Sequence, residues 1–276
     1  MSDQGPIKID LHALLRRRAG RYGSLLPHFA VWPLERLVCQ SELNALLDRL
    51  YPLRGVAFCR ALLRELDIKL EIRNLDLLPP SGRALFASNH PLGGLDGISM
   101  LAFLGEHYGC EPYFIVNDLL MAVEPLSGNF VPVSIFGHQQ RATGAAISAA
   151  LASDAPVLIY PAGLVSRRGD DGSIADLKWN KTFINKAIES RRDIVPIHFG
   201  GTNSSFFYRT ASLRRRLHIP FNLEMALLPR EMLGRRGATF PITVGEPVAW
   251  QSLHGGSQAV AEARNLRNIV YNLADK

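Results

Sequence analysis

Five short runs are apolar almost without interruption: "RALFAS" at 83–88, "YFIVN" at 113–117, "NFVPVSI" at 129–135, "PVLIY" at 156–160 and "IVPIHF" at 194–199. A strand with one face in water alternates apolar and polar residues, whereas a strand covered on both faces has no reason to. Continuous runs of this length therefore predict buried parallel strands, and helices must supply the cover. Such helices are predicted around 97–105, in a short segment after "YFIVN", across the small residues of 140–152, and over "DLKWNKTFINKAIESR". The last would bury Trp179, Phe183, Ile184, Ala187 and Ile188. "KLEIR" at 69–73 alternates like an early strand, "FPITVGEPV" reads as a late one, and 257–274 as a closing helix. Before the first strand, Ser41 is placed to cap a helix carrying Leu43, Leu46, Leu47 and Leu50, which Pro52 ends; "GVAFCRALLREL" forms another. The expected fold is α/β, with a mostly parallel central sheet flanked by helices. An N-terminal helical cap of residues 1–68, facing a membrane, joins an α/β domain of residues 69–276 in one structural unit.

Composition narrows the setting. The N-terminus "MSDQGPIKID" lacks the apolar core of a signal peptide, and no run is long and uncharged enough to span a bilayer. Cys39, Cys59 and Cys110 are scattered and odd in number, so reduced structural thiols in the cytosol are expected. Thirty-one basic against twenty-five acidic residues give a net charge of +6, which favours anionic partners. The arginines stand beside apolar residues in "LHALLRRRAGRYGSLLPHFAVW" and "SLRRRLHIPFNLEMALLPREMLGRR". That mixture suits an anionic membrane surface and predicts a peripheral protein on the cytoplasmic face of the inner membrane. No RNA-binding or zinc-finger pattern is present, so nucleic acid is not an expected partner.

The chemistry concentrates in "SNHPLGGLDG", residues 88–97. In a parallel sheet, ligands gather beyond the carboxyl ends of the strands, and His90 stands just past one. Pro91 stops the strand, while Gly93 and Gly94 allow a tight turn. Asp96 falls in the first turn of the next helix, where a carboxylate is favoured. If the turn folds back, Asp96 accepts the proton of one His90 nitrogen and leaves the other as a general base toward a hydroxyl. The plainer alternative makes Asp96 a helix cap and His90 a satisfied turn residue. There is no G-x-S-x-G elbow, no H-E-x-x-H, no phosphate-binding G-x-x-x-x-G-K-[ST] and no zinc spacing, so no metal is expected.

These residues resemble the histidine–aspartate motif of the glycerolipid acyltransferase superfamily, which includes the 1-acylglycerol-3-phosphate acyltransferases. The chain is similar, within it, to bacterial acyltransferases labelled "hemolysin" that O-acylate lyso-glycine or lyso-ornithine lipids. The matching blocks are "SNHPLGGLDG", "GNFVPVSIFG", "YPAGLVSRRGDDG", "DLKWNKTFINKA" and "RDIVPIHFGGTNSSFFY". The resemblance implies a glycerol-3-phosphate acyltransferase-like fold and acyl transfer from acyl carrier protein or coenzyme A to a lyso-lipid hydroxyl. His90 would be the base and Asp96 its orienter, with neither cofactor nor acyl-enzyme. Backbone N–H groups at Gly93 and Gly94 would receive the oxyanion. Asn89, Gly93, Gly94, Gly163, Ser166 and Arg167 are the expected substrate contacts. Two departures stand out. The superfamily spaces its histidine and aspartate by four residues, and this chain by five. "YPAGLVS" stands where lysophosphatidate enzymes read F-P-E-G-T-R-S, so Ala162 replaces the glutamate and Val165 the arginine that grips phosphate. Both favour a lyso-aminolipid acceptor over lysophosphatidate, with Arg167 or Arg168 left to hold its carboxylate. A non-catalytic membrane-lytic protein is the competing class, but it has no use for a strand-end His/Asp pair. His198 is expected in the core; Asn203 and Ser204 fit either a capped turn or a substrate contact.

Overall fold

A computed structural model of the chain describes residues 8–18, 27–117, 123–133, 141–219 and 222–274. Four helices lead: α1 (Leu11–Arg18), α2 (His28–Leu37), α3 (Gln40–Leu50) and α4 (Gly55–Glu65). Then come β1 (Lys69–Arg73), β2 (Leu85–Ser88), α5 (Gly94–Tyr108), β3 (Tyr113–Asn117), β4 (Phe130–Val133), α6 (Arg141–Ala152) and β5 (Val157–Ile159). A small hairpin of β6 (Arg167–Arg168) and β7 (Ile174–Ala175) precedes α7 (Thr182–Ser190), β8 (Ile194–Phe199) and α8 (Ser205–Arg216). The chain continues through α9 (Leu228–Leu233) and β9 (Thr239–Val244) to α10 (Ala259–Asn272).

Seven strands form one sheet in the order β1-β9-β8-β2-β5-β3-β4. Every pairing in it is parallel except β8 with β9. The strand that leads to His90 is central, between β8 and β5. Its side chains divide by the two-residue period of a strand: Phe86 enters one core, Leu85 and Ala87 the other. The first core also takes Leu46, Phe58, Leu62, Met100 and Leu104 from α3, α4 and α5. The second takes Ile147, Phe183, Ala263 and Leu266 from α6, α7 and α10. A continuous apolar strand is thus what two covered faces demand. Because α3 and α4 contribute to the same core as the sheet, the chain has no break in packing at residue 68. At Gly105 a β-carbon would lie 2.2 Å from Val56, so the absent side chain is what lets α4 and α5 approach.

Some predicted boundaries shift. The helix expected from residue 176 begins at Thr182. Asn180 Oδ1 accepts from the Thr182 amide and hydroxyl, a local turn that competes with helix, and Asp176 and Trp179 face inward. The helix expected around 97–105 runs from Gly94 to Tyr108, and Gly109, with φ of +63°, ends it. Ser41 lies inside α3 rather than capping it, the cap being Cys39 at φ 55°. The predicted short helix after "YFIVN" and the segment "IFGHQQ" fall outside the described residues, apart from a 3₁₀ turn at Glu124–Leu126.

Candidate active site

His90 lies two residues past β2, and the chain then turns through Gly93 into α5. Gly93 has φ +80°, and a β-carbon there would meet Leu228 at 2.7 Å. Only glycine serves both the angle and the space. The turn brings Asp96 back under His90: both carboxylate oxygens lie 3.1 Å from Nδ1. Asp96 is fully buried, and it also accepts from the amides of Leu92 at 2.9 Å, Gly93 at 3.2 Å and Gly97 at 2.8 Å. The extra residue between histidine and aspartate is therefore absorbed by a loop whose Leu92 and Gly93 amides point at the carboxylate. With Nδ1 held by Asp96, the other ring nitrogen, Nε2, is left for a substrate.

The imidazole is fixed from a second side by Tyr160, whose ring stacks on it at 4.1 Å between centroids, 18° from parallel. The Tyr160 hydroxyl is buried without a hydrogen-bond partner among the described residues. Burial first, then Asp96 and Asp176, push its pKa far above the usual phenol range, so the group stays neutral. The backbone of His90 is clamped as well. Its N–H donates to Asp176 Oδ1 at 3.1 Å, and its carbonyl accepts from the Ser166 amide at 2.8 Å. Asp176 is itself buried and receives the Ser166 hydroxyl at 2.6 Å and the Trp179 indole at 2.9 Å. Its amide donates to the Tyr271 hydroxyl at 2.6 Å. Burial raises Tyr271 to about 12, so it too is neutral.

Three residues expected to touch substrate have side chains spent inside the protein. Asn89 donates to the Phe199 carbonyl at 2.9 Å and accepts its amide at 2.7 Å, which extends the β2–β8 pairing. Ser166 is held by Asp176, as described. Arg167 donates to buried Glu224 at 2.8 Å and to the Val165 carbonyl at 2.9 Å, leaving its side chain 12% exposed. The Gly93 N–H is taken by Asp96, and that of Gly163 by the Tyr160 carbonyl at 2.9 Å. Gly94 differs: it opens α5, so no earlier helical turn supplies an acceptor in line with its N–H. Val165 is fully buried in a cluster with Phe207, Tyr208 and Leu227, a place that excludes a phosphate-gripping side chain.

Asn203 and Ser204 both bond within the protein, although Asn203 Oδ1 is buried with no partner among the described residues. Ser204 caps α8, accepting from the Phe207 amide, and Asn203 Nδ2 donates to the Pro91 carbonyl at 3.2 Å. His198 is half-buried on β8, 6.2 Å edge-on from Tyr271. Among the described residues no three His, Cys, Asp or Glu side chains gather closely enough to hold a metal ion. Sequence reasoning missed Tyr160, Asp176 and Glu224. For Asp176 the available signal was an acid three residues before a tryptophan, in "ADLKW".

A strand-end histidine oriented by a buried aspartate, at the rim of a mostly parallel sheet, has the geometry to act as a general base. The chain belongs to the acyltransferase family, whose model matches residues 13–275. It is 41% identical over 273 residues to a lyso-glycine lipid O-acyltransferase of Phocaeicola vulgatus, covering 99% of this chain and 98% of that one. A lyso-glycine lipid O-acyltransferase of Bacteroides thetaiotaomicron is 40% identical, with coverage of 99% and 100%. Among solved structures, the 1-acyl-sn-glycerophosphate (LPA) acyltransferase PlsC of Thermotoga maritima aligns with a TM-score of 0.46 and 12% identity, over 96% of this chain and 97% of that one.

Proposed function

We propose that this acyltransferase moves a fatty acyl group from a thioester, acyl carrier protein or coenzyme A, to the hydroxyl of a lyso-aminolipid of the glycine-lipid type. The observation that carries the acceptor is the 41% identity, over nearly the whole of both chains, to a protein named for lyso-glycine lipid. Burial of Val165, which leaves no arginine at the position that grips phosphate, supports the same acceptor.

In the proposed reaction His90 Nε2 takes the proton of the acceptor hydroxyl as its oxygen attacks the thioester carbonyl carbon. The Gly94 N–H, at the positive end of the fifteen-residue helix α5, donates to the oxyanion of the tetrahedral intermediate. Collapse breaks the carbon–sulfur bond, and the departing thiolate takes the proton back from His90. Asp96 stabilises the imidazolium in between, and no cofactor is required. The reaction belongs on an anionic membrane surface, the cytoplasmic face of the inner membrane, which holds the acceptor. Among the described residues no helix is long and apolar enough to cross a membrane.

The test offers lyso-glycine lipid and lysophosphatidate together with one acyl thioester and reads both products by mass spectrometry. Acylated glycine lipid should dominate. A preference for lysophosphatidate would transfer the assignment to phospholipid synthesis.

A further inference from the structure

Arg168 of β6 and one side of α8 border an open cleft of about 340 Å³, lined by Arg168, Tyr208, Arg209, Ser212, Leu213 and Arg216. Positions 209, 213 and 216 of α8 recur at helical spacing along one face, opposite Arg168. The neighbouring arginines have partners: Arg167 and Arg214 share Glu224 at 2.8 and 2.9 Å, and Arg215 reaches Asp170 at 3.5 Å. Those that line the cleft have no acidic partner among the described residues. None of the ion pairs among the described residues includes Arg168, Arg209 or Arg216. Arg168 lies over the Tyr208 ring at 5.5 Å, and its Nε is buried with no hydrogen-bond partner among the described residues. Arg209 and Arg216 are exposed, and the cleft gathers three guanidiniums, one of them with a buried nitrogen that lacks an acceptor among the described residues, a combination that suits an anion.

We propose that this cleft binds the phosphate ester at the end of the acyl donor's pantetheine arm, a group that coenzyme A and acyl carrier protein share. The proposal rests on the thioester-dependent reading above. Charge favours the donor: the single carboxylate of a glycine headgroup would leave two of the three guanidiniums uncompensated. A phosphate accepts from several guanidinium donors at once, and each donor carries further negative charge beyond it. Tyr208 and Leu213 give the arm an apolar wall. Position favours it too. Arg168 lies two residues from Ser166, whose amide holds the His90 carbonyl, and the Tyr208 hydroxyl accepts from Asn203, which donates to Pro91. A phosphate anchored here is held on elements joined to the loop that carries the base.

The experiment titrates the full chain with 4′-phosphopantetheine and with unphosphorylated pantetheine, and measures acylation kinetics with acyl-coenzyme A and acyl carrier protein donors. The parent is compared with Arg209→Ala/Arg216→Ala and with Arg209→Lys/Arg216→Lys, both exposed positions whose change leaves the core intact. Phosphopantetheine should bind and pantetheine should not. The alanine pair should lower that affinity, and raise KM for whichever donor the parent uses, by about tenfold or more while acceptor KM stays within about twofold. The lysine pair should recover part of both. A rise in KM with only one of the two donors assigns the phosphate to that source. A raised acceptor KM with donor KM unchanged would overturn the proposal in favour of a headgroup site. Lost vesicle binding with both KM values unchanged would overturn it in favour of a lipid-facing surface. A parent inactive with both donors would sink the proposed reaction, yet the titration would still decide the cleft: unchanged phosphopantetheine affinity in the alanine pair refutes it.

Discussion

At the scale of single residues, the site is a histidine given one orientation by three independent contacts. Asp96 holds Nδ1, Tyr160 covers a ring face, and Asp176 with Ser166 pins the backbone on either side. Replacing His90 by alanine removes the proposed proton acceptor with its Asp96 and Tyr160 contacts but keeps both backbone clamps, since the N–H and C=O of residue 90 remain. His90→Ala should thus fold like the parent and lose about 10²–10⁴ in kcat, as expected for a positioned base. Asp96→Asn should lose activity comparably, because an amide cannot compensate the imidazolium. It should also cost stability, since one of its two oxygens becomes a donor aimed at backbone amides. Circular dichroism and single-turnover rates separate the two effects; near-parental turnover in His90→Ala would exclude it as the base. The His90–Asp96 pair was legible in the sequence because it closes within one loop, where proline and glycine announce the turn. Asp176 was not, as it meets His90 across 86 residues, and Glu224 meets Arg167 across 57. Neither pairing leaves a periodicity or a spacing to read. Arg167 was misjudged for that reason: an arginine beside a glycine-rich turn looks free until its distant carboxylate is seen.

At the scale of elements, the continuous apolar strands carried the sheet, and the two-residue period divided each strand between two cores. Helix starts were harder to place, because an inward Asp or Asn competes with the helix for the same amides, as at 176–181. α8 also escaped notice. Its arginines dominate its composition, and its buried face rests on Phe207, Tyr208 and Ala211 alone. The joint between α6 and the sheet depends on a residue no pattern singles out. Arg192 is fully buried and donates to the carbonyls of Ala84, Ala150, Leu151, Ser153 and Ala155. Burial first, then Arg83, lowers its pKa to about 10, so it stays charged at neutral pH. It thereby closes the C-terminal end of α6, where a cation is favoured, and ties that end to β2 and the loop before β5. Arg192→Met keeps the apolar stem but leaves those acceptors unpaired in the interior, each at a cost of about 1–3 kcal/mol where water cannot reach. The variant should lose about 3 kcal/mol or more in urea denaturation, read as a lower midpoint at unchanged slope. A loss below about 1 kcal/mol would mean that water replaces the guanidinium and that the joint is not buried in solution.

For the whole molecule, charge and apolar exposure fall on the N-terminal helices in a way the catalytic core does not need. Phe29, Trp32 and Leu34 of α2 are 79%, 55% and 46% exposed, and Arg36 lies over the Trp32 ring at 5.4 Å. Val31 on the same helix is buried, so α2 has an inward side and spends its largest side chains outward. The helix is not free to drift: α2 packs on α3, whose Leu46 and Leu50 share the core with the sheet. α1 is fixed to α3 through Asn44 and Gln40, which accept the amides of Ile9 and Leu11. Anything α2 grips therefore holds the α/β body close, which suits the proposed reaction at a membrane surface. Arg16, Arg17 and Arg18 add positive charge nearby in the chain. Each exposed aromatic that enters the interface contributes about 1.5–3 kcal/mol, and each arginine near an anionic surface about 1 kcal/mol. Phe29→Ser/Trp32→Ser should accordingly weaken vesicle binding by about a hundredfold or more on anionic and zwitterionic lipid alike. Changing Arg16, Arg17 and Arg18 to glutamate should weaken binding to anionic vesicles only, and high salt should do the same to the parent. Sedimentation with both kinds of vesicle separates the contributions. Acylation of detergent-dispersed acceptor should persist in both variants, because neither change touches the loop that holds His90. Binding indifferent to salt, to the aromatics and to these arginines would place the membrane contact elsewhere on the molecule.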